Sequence, residues 1–276
     1  MFIKLEKAHM SMIMTYLEQH QEETIYLMKP IEQFELDTSS GTWYGYLSGT
    51  TLMGLFYFSN KSTLMLHCMD NAVLRNLQLL KAIKHHKPKY VKGPIGMTEG
   101  IYTLICRAVI EVTESKSTLM RYALDQIDVE DVDGVRLITG DDKLIDELLS
   151  DLRFFVDVES HFKRQAKAVN DIVKEFRNLI SQENYVLAVI DKEIIAQGFI
   201  EDETKTNGIL AGVYVSPKQR GKRVGWLITA ALTKQLIERH KMPYLFVKNN
   251  NTDARRLYEK MGYKALMQYA TLTITY

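Results

Sequence analysis

"VSPKQRGKRVGWL", residues 215–227, sets basic and amide side chains and two glycines between an apolar run and an amphipathic one. A strand that ends there and a helix that starts at once leave unpaired amides at the helix N-terminus, where the helix dipole favours negative charge. Gly221 permits a positive φ and Gly225 lets a ligand approach the first turn without a Cβ in the way. Arg220, Lys222 and Arg223 then supply the neutralising charge. Taken alone, such a loop is either a polyanion cradle or a solvated turn, so its surroundings must decide.

Working outward, strand and helix patterns alternate with turn signals between them. Before the loop stand a short strand "GVRLIT" (134–139) and two amphipathic helices, "DDKLIDELLSDLRFF" and "HFKRQAKAVNDIVKEFRNLISQ", joined by a connection through "VDVESHF". The strands "YVLAVID" and "EIIAQGFI" follow, flanking the Asp191-Lys192 turn, and after "EDETKTNG" comes "ILAGVYVSP". Beyond the loop, "GWLITAALTKQLIERH" is a helix, "PYLFVKNNN" a buried strand, "TDARRLYEKMG" a helix ended by Gly262, and "YKALMQYATLTI" a closing strand. The order is β-α-α-β-β-β-α-β-α-β. Pairing "EIIAQGFI" with "ILAGVYVSP" about their turn sets residues 196–198 opposite residues 210–212.

The first half gives a weaker version of this order: a strand near residues 2–5, helical segments to about Ile31, three strands ("TWYGYLSG", "TLMGLFYFS", "TLMLHCM"), the helix "NAVLRNLQLLKAIKHH" and a strand "KYVKGPIG". It reads as a diverged internal repeat. Its counterpart of the basic loop is only "CMDNA", without glycine or basic residue, so no phosphate cradle is expected there. Trp43, Tyr44 and Tyr46 are expected in cross-strand core pairing, with the lining of a cleft as the alternative. An acidic connector near Asp125 gives the domains as 1–125 and 126–276.

With 276 residues and 46% apolar content, two domains with full cores are expected. A net charge of +1, from 35 basic against 34 acidic residues, supplies no global field for nucleic acid or a membrane surface. Any anion site must therefore be local. Cys68 and Cys106 lack metal-ligand spacing and read as buried free thiols of a reducing cytoplasm. No metal is expected. No run approaches a membrane span, and Lys4, Glu6 and Lys7 stand where a signal peptide would be apolar.

The stretch "RGKRVG", residues 220–225, resembles the acetyl-CoA pyrophosphate loop of the GCN5-related N-acetyltransferases (GNAT family): Arg or Gln, two residues, Gly, one residue, Gly or Ala. Arg223 stands where that family most often has glycine. A second segment, "VKNNNTDARRLYEKMGY", resembles the family's later strand and helix through Asn251, Ala254, Arg255, Leu257, Tyr258, Gly262 and Tyr263. The layout of a degenerate first unit and an intact second is similar to glycine N-acyltransferase-like and FR47-like acetyltransferases, whose "GGVY" before the loop appears here as "AGVY", residues 211–214.

The resemblance implies an α+β GNAT fold: a central mixed, mostly antiparallel sheet flanked by helices, with a degenerate GNAT-like domain over 1–125 and a catalytic domain over 126–276. It implies an N-acetyltransferase with acetyl-CoA as cosubstrate, acting on a primary amine of a small molecule or amino acid by direct attack in a ternary complex. The cosubstrate residues it implies are Val213, Tyr214, Val215, Arg220, Gly221, Lys222, Arg223, Val224, Gly225, Asn251 and Tyr258. By position the amides of Val213, Tyr214 and Val215, freed by a bulge at Gly212, hold the pantetheine and polarise the thioester carbonyl. Tyr258 would protonate the departing thiolate, since a phenol of pKa about 10 can donate to a thiolate whose acid has a pKa near 8.5.

For the base, Gln197 ordering a water and Glu159 are the candidates, with Asp157 and His161 of the same connection as alternatives. No nucleic acid or membrane partner is expected. The N-terminal unit either covers the acceptor end or forms a homodimer surface. Two rival readings stand: a CoA-binding module without catalysis, and a tRNA-dependent aminoacyl transferase, which the balanced charge disfavours.

Overall fold

In the computed structural model, which describes residues 1–139, 153–162, 174 and 184–276, the segment before the basic loop forms a ladder of antiparallel strands. These are β7 (Arg136–Ile138), β8 (Tyr185–Ile190), β9 (Glu193–Glu203) and β10 (Asn207–Val215). The β8–β9 turn has positive φ at both Asp191 (47°) and Lys192 (67°), the handedness that matches strand twist in a two-residue hairpin. β10 then pairs in parallel with β11 (Met242–Lys248), from Asn207↔Met242 to Leu210↔Leu245.

The helix α6 (Val224–Glu238) joins β10 to β11, and α7 (Thr252–Met261) joins β11 to β12 (Tyr263–Thr275). α6 buries Leu227, Ile228, Leu232 and Leu236. α7 ends at Gly262 with φ 105°, the left-handed cap expected of that glycine. The architecture is the α+β fold of the sequence reading, in the expected order among the described residues.

The earlier half contains β1 (Phe2–Lys4), α1 (Met10–Gln19), α2 (Ile25–Phe34), β2 (Gly41–Ser48), β3 (Thr51–Ser59), β4 (Thr63–Cys68), α3 (Leu77–His86), β5 (Tyr90–Pro94), α4 (Ile95–Ile105) and β6 (Glu111–Tyr122). Trp43 is buried and stacks on Tyr57 at 4.4 Å, so its ring belongs to the core between β2, β3 and α1. At the start of its 3-10 turn, the Asp70 carboxylate accepts from Ala72 N at 2.8 Å.

The chain forms two compact units: residues Met1–Leu119, Val247–Asn250 and Leu266–Tyr276 in the first, Met120–Phe246 and Asn251–Ala265 in the second. It passes between them several times, whereas the sequence reading drew one boundary at 125/126. The reason is pairing that periodicity does not reveal. Within the first unit, β12 runs antiparallel to β5 from Tyr269↔Pro94 to Thr273↔Tyr90. There too, Asn249, Gln268 and Thr118 close a ring of side-chain hydrogen bonds of 2.7–3.0 Å.

Several expectations are corrected. The helix α4 was not anticipated, because Gly96 and Gly100 interrupt its pattern; Gly100 is there to let Leu74 approach, a Cβ at that position lying 2.4 Å from a Leu74 methyl carbon. The polar stretch "VDVESHF" is not a connection but, through His161, part of the helix α5 (Arg153–His161), whose Phe155 and Val158 are fully buried. Most of the two helices expected over 141–182 lies outside the described residues. The hairpin register also differs: Tyr214 stands opposite Gln197 and Val215 opposite Ala196, because the turn is confined to residues 204–206, between Glu203 and Asn207, while the two bulges, one on each strand, cancel. Both cysteines are free, yet Cys106 is exposed and only Cys68 is buried. Among the described residues no helix is long and apolar enough to cross a membrane.

Candidate functional site

The site grows from one extra residue. Between Ala211↔Phe199 and Tyr214↔Gln197, β10 advances by three residues while β9 advances by two, a β-bulge at Gly212 and Val213. Gly212 has φ 62°, and a Cβ there would lie 2.0 Å from a ring carbon of Phe199, so no other residue fits. The Gln197 amide secures the bulge, donating from Nε2 to the Gly212 carbonyl at 3.3 Å while its Oε1 accepts from the Tyr185 hydroxyl.

Past Leu210 the ladder with β11 ends, so the last residues of β10 have one open side. Ser216 N donates to Ile195 O at 2.8 Å across the β9 side. Its neighbour Val215 therefore directs its backbone groups the opposite way, by strand alternation, and its carbonyl accepts from Arg220 Nε at 3.1 Å. The guanidinium is thereby folded back over the open edge.

The loop keeps a glycine-like path without the glycine. Arg223, at the N-cap of α6, adopts the left-handed conformation with φ 65° and ψ 1° and makes no side-chain cap. The first-turn amides of α6 consequently stay available to an external acceptor. Its guanidinium pairs with the Glu130 carboxylate, both groups exposed. Left-handed backbone costs a non-glycine residue about 1–2 kcal/mol. Arg223→Gly and Arg223→Ala both lose the ion pair, and only alanine keeps the strain, so the glycine variant should be the more stable by about 1 kcal/mol. Urea midpoints of the two variants measure this, and equal midpoints would show that the loop relaxes.

A cavity of about 630 Å³ opens here, lined by Val213, Tyr214 and Val215 of the strand end and by Gln219, Arg220, Gly221, Arg223, Gly225 and Trp226 of the loop and first helical turn. The other wall is α7, with Asn251 at its cap and Ala254 and Tyr258 along one stripe; Asp253, Arg256 and Lys260 also line the cavity. A helix offers i, i+3 and i+7 on one face, which explains that stripe. Among the described residues Arg256 and Lys260 have no ion-pair partner and the buried Trp226 indole Nε1 has no hydrogen-bond acceptor. Excess cations, first-turn amides and an orphaned donor in one cavity suit a ligand rich in anionic and acceptor oxygens.

Tyr258 is buried, and burial pushes its pKa up to about 12. Its ring meets Tyr263 edge-on at 6.0 Å, and Tyr263 is tied by a 2.7 Å hydroxyl pair with Thr233. The Tyr258 hydroxyl has no hydrogen-bond partner among the described residues. A protonated, unengaged phenol at a cavity wall is suited to donate a proton.

The structure brings most of the residues expected from sequence to this cavity, with four exceptions. Lys222 turns back to Gln219 Oε1 at 3.0 Å, and the Val224 side chain is buried, leaving only its backbone at the helix start. Gln197, 1% exposed, lies beneath the bulge rather than in the cavity. Glu159, 9% exposed, does not line the cavity either; of the α5 candidates only His161 does, its ring 5.0 Å from that of Tyr214. Asn251 caps α7, accepting from Ala254 N at 3.2 Å. Sequence reasoning missed Trp226, Arg256 and Lys260; the last two stand two positions either side of Tyr258, a spacing that on a helix does not share its face, so no periodicity signal pointed to them.

Residues 195–272 match the family described as FR47-like protein. No curated protein sequence matches the chain. Among solved structures, a GCN5-related N-acetyltransferase from Sphaerobacter thermophilus superposes with a TM-score of 0.65 at 15% identity, over 99% of this chain and 95% of that one. A GNAT-family acetyltransferase from Colwellia psychrerythraea gives 0.55 at 13% identity over all of both chains. A tandem GNAT protein from the clavulanic acid biosynthesis pathway gives 0.56 at 11% identity, over 99% and 98%.

Proposed function

We propose that this chain, which has the GNAT acetyltransferase fold and whose residues 195–272 match the FR47-like family, is an acyl-CoA-dependent N-acetyltransferase. Its cosubstrate is acetyl-CoA and its acceptor the primary amine of a small molecule or amino acid, which attacks directly in a ternary complex. The observation that carries this reading is the open, bulged end of β10 at a cation-lined cavity that also holds Tyr258. The balanced charge, +1 overall, favours a small acceptor over nucleic acid or a membrane surface.

Acetyl-CoA supplies the activated acyl group. The α6 amides with Arg220 and Arg223 hold anionic oxygens, and Arg256 and Lys260 add charge on the facing wall. The open-side amide of Val215 and its neighbours on β10 offer hydrogen bonds to an extended ligand and to a carbonyl oxygen that gains charge. The Tyr258 Oη proton goes to the departing sulfur. His161, rather than Glu159, is the group we assign to accept the proton of the amine, since it reaches the cavity. Cytoplasmic location and a homodimer belong to this reading.

The test is a screen of amines and amino acids with acetyl-CoA, followed by thiol release. Turnover on none of them, with acetyl-CoA still bound, would favour a CoA-binding module, a reading that the absence of Gln197 and Glu159 from the cavity keeps in view. Replacing Arg220 and Arg223 together by alanine should weaken acetyl-CoA binding about tenfold, as charge-assisted contacts are lost. Unchanged affinity in calorimetry would show that the loop does not hold the phosphates.

A further inference from the structure

The first unit holds a cluster whose residues do not line the cavity described above. The helix α1 ends at Gln19, His20 caps it, and the turn into α2 carries Glu23. The strand β4 brings His67 to the same point, 2% exposed. One Glu23 carboxylate oxygen, Oε2, lies 3.1 Å from His20 Nδ1 and 2.9 Å from His67 Nε2, and the three atoms fall within 4.8 Å of one another.

We propose that His20 Nδ1, Glu23 Oε2 and His67 Nε2 form a site for a divalent transition-metal cation, with zinc the best match. Tetrahedral bonds of about 2.0–2.2 Å set ligand atoms roughly 3.3–3.6 Å apart, so small side-chain rotations convert the present triangle into a coordination set. Two imidazoles and one carboxylate suit zinc, whereas magnesium and calcium take oxygen sets.

The second layer points the same way. The other nitrogen of His67, Nδ1, is 2.7 Å from the Tyr16 hydroxyl, the partner that fixes tautomer and ring orientation in a ligating histidine. The His20 ring packs against both Tyr16 and His67, at 4.9 and 4.8 Å. The Tyr269 hydroxyl donates to the Glu23 backbone carbonyl and holds the turn in place. On the outer side, Glu18 and Glu22 join Glu23 around a cavity of about 420 Å³ without a lysine or arginine in its wall. Its field draws cations, and a fourth ligand position faces it for water. Sequence spacing gives no sign of this set, since its members come from a helix end, a turn and a strand, and the expectation of no metal rested on spacing.

The experiment uses the untagged full-length chain, stripped with a chelator and titrated with zinc chloride against a chromophoric competitor, with magnesium chloride alongside. One equivalent of zinc should bind with a Kd of about 1 µM or tighter, and magnesium should not compete. His20→Ala and Glu23→Gln, at side chains that reach the surface, should each weaken binding more than about tenfold with the circular dichroism spectrum unchanged. No zinc uptake at micromolar concentration would overturn the proposal. So would equal uptake by folded His20→Ala and Glu23→Gln, which would place the metal elsewhere. None of these outcomes depends on acetyl transfer.

Discussion

Replacing Tyr258 by phenylalanine should lower turnover about a hundredfold or more while leaving acetyl-CoA affinity within about twofold, as expected when a positioned general acid is removed. The ring is buried against Tyr263 and stays in place; only the hydroxyl is lost. Because that hydroxyl has no hydrogen-bond partner among the described residues, the substitution strands no other group and stability should hold. The pH profile gives a second handle. An exposed phenol ionises near 10, whereas burial pushes this one up to about 12, so Tyr258 cannot be the source of a basic limb in the rate below pH 10. The stability associated with the raised value is complete below the unfolded pKa and is lost as pH climbs from about 10 toward 12. Turnover unaltered in Tyr258→Phe would return the residue to the core.

The second large effect is at Gly212. Gly212→Ala should cost about 3 kcal/mol of stability, about 1–2 from positive φ in a non-glycine residue and the rest from overpacking. The new Cβ meets the Phe199 ring at 2.0 Å, and Phe199 is itself buried and stacked on Tyr185 at 5.7 Å. If the chain relieves the clash by abandoning the bulge, the open edge of β10 closes and acetyl-CoA binding weakens more than tenfold. Gly221→Ala is the control, since it has φ 77° but nothing within 4 Å of a Cβ; its cost should be near 1 kcal/mol, from conformation alone. Urea midpoints for the two variants decide the matter, and equal losses would mean that Phe199 yields without strain.

The loop at residues 220–225 was legible because its information is local: a strand end, glycine at a positive φ and a helix start all fall within a few residues. Arg223 shows a limit of such reading, since backbone geometry there is inherited from the loop and not declared by the side chain. The placement of the base candidates was hidden for a different reason. Asp157, Glu159 and His161 were read as a connection because their polarity hides the buried Phe155 and Val158 of α5, and helical geometry then turns only His161 to the cavity. The misread register of β9 and β10 has another origin: pairing follows the centre of the turn, which the polar run "EDETKTNG" leaves open, and the two bulges, one on each strand, cancel. Least legible was the return of residues 266–276 to the first unit, because a strand's own pattern does not name its partner.

The account rests on the cavity at the end of β10 being an acyl-CoA site, and calorimetric titration of the full chain with acetyl-CoA, beside CoA and dephospho-CoA, tests it most directly. One molecule bound with a Kd of about 1–100 µM, abolished or much weakened in Gly212→Ala, is the expected result. No heat with acetyl-CoA or CoA at millimolar concentration would contradict the account and leave a GNAT fold serving some other ligand.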